Sequence, residues 1–307
     1  MCTVCGCGLG SGAADIAAAA QAGNDGHDHP GHHHGHHHPS HAGDDTGGGE
    51  TVDFGQGPAR SHAPGLSQGQ MLRIEQDILG KNAEYAAANR RYFAQRGILA
   101  INLLSGPGAG KTALLVRTIE ALRLRVRLAV VEGDQQTSLD AGRIRAAGAR
   151  AVQINTGRGC HLDAHMVGHA VETLQPDEGS LLMIENVGNL VCPAAFDLGE
   201  AHTVVMLSVT EGEDKPLKYP DIFRAADLLL LAKCDLLPHL DFNVEQALEH
   251  ARRVNPKLQV LCVSALSGQG MGEWFGWIES GLRIAAARIV DQGSSSAGEA
   301  GAAAAGT

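Results

Sequence analysis

The segment Ser105-Gly106-Pro107-Gly108-Ala109-Gly110-Lys111-Thr112 constrains the fold of this chain more than any other stretch. An apolar run, Ile98 to Leu104, precedes it, and a helical pattern opens at Thr112, so the segment is the turn between a strand and a helix. In that setting glycines let backbone N–H groups turn inward around phosphate oxygens, and the helix N-terminus adds partial positive charge. Lys111 then reaches the outer phosphates and the Thr112 hydroxyl faces a magnesium ion. Gly106, Pro107, Gly108, Ala109, Gly110 and Ala113 complete the cradle. The pattern usually begins with Gly, and here position 105 is Ser, but the Gly-x-Gly-Lys-Thr core is intact.

The alternation continues along the chain, with apolar runs at Val126 to Val131, Ala151 to Ile154, Leu181 to Ile184, Val204 to Val209, Leu228 to Leu231 and Val260 to Val263. Helical segments separate most of them. Short apolar runs alternating with helices imply a mostly parallel sheet covered on both faces, a three-layer α/β/α P-loop NTPase. Before it, Leu72, Ile74, Ile78, Leu79, Tyr85 and Phe93 mark a helix from about Gln70 to Gln95, stopped by Gly97. Residues 1–66 are Gly, His, Ala, Asp and Ser with almost no branched aliphatics, which predicts a disordered arm. The expected organisation is this arm over 1–66, a helix over 67–97, the nucleotide domain over 98–290 and a disordered Ser/Gly/Ala tail over 291–307.

Three later segments each end a predicted strand, the edge at which such sheets bind ligands. Asp134, in Glu132-Gly133-Asp134, can complete a magnesium shell. Glu185-Asn186-Val187-Gly188 resembles the Asp-x-x-Gly element that senses a γ-phosphate, with Glu for Asp. Lys233-Cys234-Asp235 resembles the guanine-reading Asn-Lys-x-Asp element, and Ser264-Ala265 the backbone element that supports guanine O6. Together they point to GTP hydrolysis, with Lys111, Thr112, Asp134 and Glu185 as the catalytic candidates. Ala232 replaces the Asn of the guanine element. The Asp235 carboxylate still accepts from guanine N1–H and the 2-amino group, which adenine does not offer, so the loss weakens binding more than it alters base preference. The same departure is the feature that favours a rival reading, an ATP-dependent enzyme.

A net charge of −10 argues against nucleic-acid or anionic-membrane partners. The chain has neither a basic leader nor a membrane-spanning apolar run, which predicts a cytoplasmic protein. Cys2, Cys5 and Cys7 form a Cys-x-x-Cys-x-Cys cluster whose thiolates suit square-planar Ni²⁺, with the Cys2 amine as a fourth donor, or tetrahedral Zn²⁺. Nine histidines follow, His27, His29, His32, His33, His34, His36, His37, His38 and His41; flexible imidazoles in such number suit storage of Ni²⁺, Zn²⁺ or Cu²⁺.

The start MCTVCGCG, the His tract, SGPGAGKT, EGDQQTSLDAGRI, QINTGRGCHLDAHMV, IENVGNLVCPAAFDLGE and SVTEGEDKPLKYPDIFRAADL together resemble the hydrogenase nickel-insertion GTPase family, HypB. The resemblance implies a nickel-binding GTPase that forms a homodimer with nucleotide and metal. It also implies that the protein works with a small zinc-binding accessory protein to load a [NiFe]-hydrogenase large subunit. It further implies a second metal site at the dimer interface, on Cys160, His161 and Cys192. Cys234 and Cys262 read as core residues, and His165 and His169, at i and i+4, as a solvated or packed pair. A storage protein whose nucleotide domain serves only dimerisation is the second rival. Deleting residues 26–41 is expected to remove most nickel bound at saturating metal while sparing the tightest site, and Ser at positions 2, 5 and 7 to do the reverse; a metal titration of the variants checks this division.

Overall fold

The computed structural model describes residues 67–135 and 139–304; the cysteine cluster and the histidine tract lie outside the described residues. Its centre is a seven-stranded sheet in the order β3-β2-β4-β1-β5-β6-β7, every pairing parallel. The strands are β1 (Leu99–Ser105), β2 (Leu128–Asp134), β3 (Arg150–Asn155), β4 (Leu181–Glu185), β5 (His202–Ser208), β6 (Leu228–Ala232) and β7 (Gln259–Val263). Six of the seven coincide with the apolar runs after the phosphate-binding segment, and β1 with the run before it. β1, β4 and β6 are buried along their whole length, so continuous apolar runs rather than alternation mark them in the sequence.

Helices cover both faces. On one, α2 (Lys111–Leu122), α3 (Leu139–Ala146) and α8 (Met271–Ala304) bring Leu115, Ile119, Ile144, Trp274 and Ile278 onto Ile101, Leu103, Val130, Met183 and Met206. Trp274 is fully buried, and its indole N–H donates to the Thr118 hydroxyl at 2.9 Å, so its polar atom is not stranded. On the other face α1 (Gln68–Gln95) and α4 (Ala164–Leu174) set Phe93, Val167 and Val171 against Ala100, Val131, Leu182 and Ile184. Beside them the short α5 (Lys215–Lys218), α6 (Pro220–Ala225) and α7 (Val244–Val254) complete the layer, with Ile222, Phe223 and Ala251 on Val205, Leu207, Leu229 and Leu231.

α1 begins with a reciprocal cap: the Ser67 hydroxyl accepts from Gln70 N–H, and the Gln70 side chain accepts from Ser67 N–H. Its inner face then ties two distant segments together. Asn82 accepts from Ala164 N–H at 2.9 Å and donates to the Asp197 carbonyl at 2.8 Å. Asn89 donates to the carbonyls of Ala164 and Leu198, and Arg90 forks onto both Asp197 oxygens at 2.6 and 2.7 Å. Composition predicts a disordered tail over 291–307, and the backbone of α8 is helical to Ala304. Extending a helix already nucleated at Met271 avoids the nucleation cost, and Ala is the best helix former.

Gly199 holds α1 close. Its φ is +88°, and a β-carbon there would stand 2.5 Å from the Ala86 carbonyl oxygen and 2.7 Å from Asn89 Cβ. Gly199→Ala is therefore expected to cost about 1–3 kcal/mol, through left-handed strain and displacement of α1. Urea unfolding of the two proteins measures this.

Candidate functional site

The parallel register brings the candidate residues to one edge. β1 runs directly into the Gly106–Gly110 loop and α2, with Gly108 and Gly110 at positive φ as an inward-turning loop demands. Glu132 on β2 is paired in register with Glu185 on β4, and Glu185 with Leu103 on β1, so two carboxylates stand side by side next to the loop. They line one cavity of about 510 Å³ together with residues 107–113, Asp134, Asp140 and Asn186 to Gly188.

Charge in this cavity is buried. Lys111 is 8% exposed, and its ammonium donates to the Ser105 hydroxyl at 2.9 Å, while that hydroxyl donates to the Gly106 carbonyl at 2.7 Å. Ser105, the departure from the usual pattern, thus holds the lysine. Burial pulls the Lys111 pKa down, and Glu185 opposes that pull. The Thr112 hydroxyl donates to Glu185 Oε1 at 2.8 Å. Burial, helped by the negative charge of Glu185 and Asp134, pushes Glu132 up to about 8. Burial likewise pushes Glu185 up to about 7, against the pull of Lys111 and the Thr112 hydrogen bond. One oxygen of each carboxylate, Oε2, is buried without a hydrogen-bond partner. Two orphaned carboxylate oxygens, a threonine hydroxyl and Asp134 make a donor set that suits a hard divalent cation such as magnesium.

A second cavity, of about 240 Å³, opens on the other side of the loop, lined among others by Ala109, Ala113, Ala232, Lys233, Asp235, Ser264 and Ala265. Lys233, in the left-handed region at φ 61°, lays its side chain over the loop and donates to the Gly108 carbonyl at 2.8 Å. Ala232 ends β6 and is paired with Val263 on β7, which sets Lys233–Asp235 beside Ser264–Ala265. Both halves of the predicted base-reading element therefore share one cavity with the phosphate loop.

Cys160, His161 and Cys192 form a third group, their ligand atoms all within 4.8 Å of one another. Cys192 is buried, and the Cys160 sulfur lies 3.6 Å from His161 Nδ1. Burial lowers the His161 pKa, which favours the neutral imidazole that binds metals. Its ring packs on Phe196 at 4.0 Å between centroids. Two thiols and an imidazole suit a borderline divalent ion. Cys234 is buried, with its thiol donating to the Leu231 carbonyl, and Cys262 is half-buried.

The contacts that join these groups escaped the sequence reading, although Asn186 and Gly188 belong to the Glu185–Gly188 element it named. Asn186 is 1% exposed; its side-chain oxygen accepts from Leu162 N–H and Val187 N–H, each at 3.0 Å. Asn189 donates to the Cys160 carbonyl at 3.3 Å. Gly188 lies against the phosphate loop, where a β-carbon would stand 3.1 Å from Pro107 Cα, and Gly133 leaves room for the buried Leu162. A buried Asn between a strand-end acid and an apolar residue was the one available signal, since a buried amide must find partners.

A model of the CobW/HypB/UreG nucleotide-binding domain matches residues 100–262. The hydrogenase maturation factor HypB of Azotobacter vinelandii is 70% identical over 232 residues, 76% of this chain and 77% of the relative. That of Cupriavidus necator is 47% identical over an alignment of 355 positions, taking in 100% of this chain and 97% of the relative. The crystal structure of HypB from Helicobacter pylori in complex with nickel superposes with a TM-score of 0.62 at 36% identity, covering 66% of this chain and 96% of that one.

The raised carboxylate values set a pH dependence. With chelator present, folded protein holds protons on Glu132 and Glu185 that the unfolded chain, with ordinary values near 4.5, has released. Stability is therefore lost as pH rises from about 4.5 through about 7 and 8. Denaturation midpoints between pH 5 and 8.5 in chelator should fall, and Glu132→Gln should flatten the trend.

Proposed function

The chain belongs to the CobW/HypB/UreG family of P-loop GTPases and, within it, to the HypB hydrogenase maturation factors, and from that footing we propose that it spends GTP to deliver nickel to a [NiFe]-hydrogenase. The observation that carries this reading is the segment 185–192. At one end Glu185 accepts from Thr112 and Gly188 abuts Pro107; at the other Asn189 holds the Cys160 carbonyl and Cys192 contributes its sulfur. A single stretch of chain thus touches both the phosphate loop and the metal-ligand group.

In the hydrolysis of GTP to GDP and phosphate, Lys111 and the loop N–H groups offset charge that builds on the transferring phosphoryl group. Thr112, Asp134 and Glu185 are the residues that would hold magnesium, which supplies further charge neutralisation there. Asp235 accepts from the guanine edge, Lys233 stacks beside the loop, and Ser264 and Ala265 close the base cavity. Departure of the γ-phosphate removes a partner of Gly188 and its neighbours, and through Asn186 and Asn189 this reaches Cys160 and His161. The metal geometry then differs between nucleotide states.

The wider setting follows from the family. The protein works with the hydrogenase maturation machinery, and among the described residues no helix is long and apolar enough to cross a membrane. We place it in the cytoplasm as a homodimer favoured by GTP and metal, its Cys160, His161 and Cys192 at the interface. A small zinc-binding accessory protein and the hydrogenase large subunit are its partners. Zn²⁺ competes for the same ligands, and the residues before 67 store nickel.

Coupling between the two sites must be reciprocal, and such couplings amount to roughly 5 to 150 fold in affinity. Ni²⁺ affinity at this site should differ by that order between GDP and a non-hydrolysable GTP analogue, and Cys192→Ala should erase the difference. Lys111→Ala, with hydrolysis abolished, should bind nickel in nearly unchanged amount. Equal affinities in both nucleotide states at a fixed dimer fraction would overturn the proposal and leave a nickel store.

A further inference from the structure

Outside the groups described above, one pair of side chains is arranged as ligands are. His165 and His169 lie one turn apart on α4, both exposed, with their Nε2 atoms 3.1 Å apart. That is the separation of two neighbouring donors on one metal ion whose bonds to nitrogen are about 2.0–2.1 Å. Two further contacts fix the rings in this posture. His169 Nδ1 lies 3.2 Å from Glu172 Oε2, so an Nδ1–H donates to the carboxylate and the Nε2 lone pair points at His165. A carboxylate behind an imidazole is the usual outer support of a metal-bound histidine, and it raises the basicity of the ligating nitrogen. The His165 ring is braced by α1, where Tyr85 meets it edge-on at 4.7 Å between centroids.

We propose that His165 and His169, supported by Glu172 and Tyr85, form a divalent-metal site on the outer face of α4, separate from Cys160, His161 and Cys192. The ligand class is a borderline ion such as Ni²⁺, Zn²⁺ or Cu²⁺, since both donors are imidazoles. Without metal the short Nε2–Nε2 contact is a hydrogen bond, in which one ring's Nε2–H donates to the other. Binding moves that proton within the ring: His165 passes to its Nδ1–H tautomer, both Nε2 lone pairs donate to the ion, and water fills the remaining positions. Only two protein ligands hold the ion, so the site exchanges metal readily. His165 follows His161 by four residues, across the Asp163 cap of α4, so the pair lies just beyond the segment that carries Cys160 and His161.

The site requires α4 to be helical, so its occupancy is read in the stability of the folded chain. Metal that binds the folded chain raises the folded-to-unfolded ratio by a factor of 1 + [M]/Kd, about a hundredfold at a hundred times Kd. Full-length protein and its His165→Asn/His169→Asn variant carry the same N-terminal ligands, so a difference in their metal-induced shifts reports α4 alone. Urea midpoints with and without Ni²⁺, then with Zn²⁺, should show a smaller shift in the variant, and the same deficit should persist when both proteins also carry Cys192→Ala. Metal-free midpoints and circular dichroism establish that the variant folds. Equal shifts with and without the pair, or a deficit that vanishes with Cys192→Ala, overturn the proposal. Neither result bears on the coupling of nickel to nucleotide at Cys192.

Discussion

β1 has a strand on each side and a helical layer over each face, so nothing of it is left to meet solvent except the turn at its C-terminal end. Parallel pairing sends the ends of its neighbours to that same edge, and the pairing with β4 then decides what faces the turn. Because Leu103 stands opposite Glu185, and Glu185 opposite Glu132, two acids are delivered beside Lys111 by the backbone ladder. A slip of β4 by one residue would turn Glu185 to the opposite face of the sheet, away from Thr112. The hydrogen bond between Thr112 and Glu185, and everything transmitted through residues 185–192, follows from that register.

The cost of such an arrangement is visible in the protonation of the site. Lys111, Glu132 and Glu185 are each nearly removed from water, and one oxygen on each acid has no protein donor. Burying ionised groups in this way is unfavourable unless a counter-charge arrives, so the acids hold protons more tightly than they do in water. The strain is carried by a rigid surround: continuous apolar strands on one side, and on the other a loop whose lysine is tied to Ser105. A cation and a phosphate chain are the kind of partners that would make this constellation favourable.

Much of this was legible in the sequence because it is local. Glycine spacing, Lys-Thr at a helix start and acids at the ends of apolar runs each declare themselves within a few residues, and the strands came out as read. Lys233, Asp235, Ser264 and Ala265 were singled out even with Ala232 in place of Asn, and they line one cavity with the phosphate loop. What the sequence concealed is the set of contacts between remote segments. Asn186 with Leu162, Gly188 with Pro107, Gly199 with Ala86, and the asparagines of α1 with Ala164 and Asp197 depend on where the sheet sets each loop, and no periodicity encodes them. Cys160, His161 and Cys192 needed a family resemblance to be singled out, since a buried Cys in a Cys-Pro turn has no distinctive spacing.

The strand order also governs when the site can exist. The phosphate loop is near the start of the described residues, yet the two strands that flank β1 are β4 and β5, about 80 and about 100 residues further on. During synthesis the Gly106–Gly110 loop and α2 therefore emerge long before the acids that face them, and β1 waits with both edges unpaired. Contacts of such long range are slow to form, because the loop they close must be ordered before they repay it. Nucleotide affinity should consequently appear only after β4 and β5 have docked, which makes binding of nucleotide a signature of a fully paired central strand and leaves the early intermediate exposed at both edges of β1.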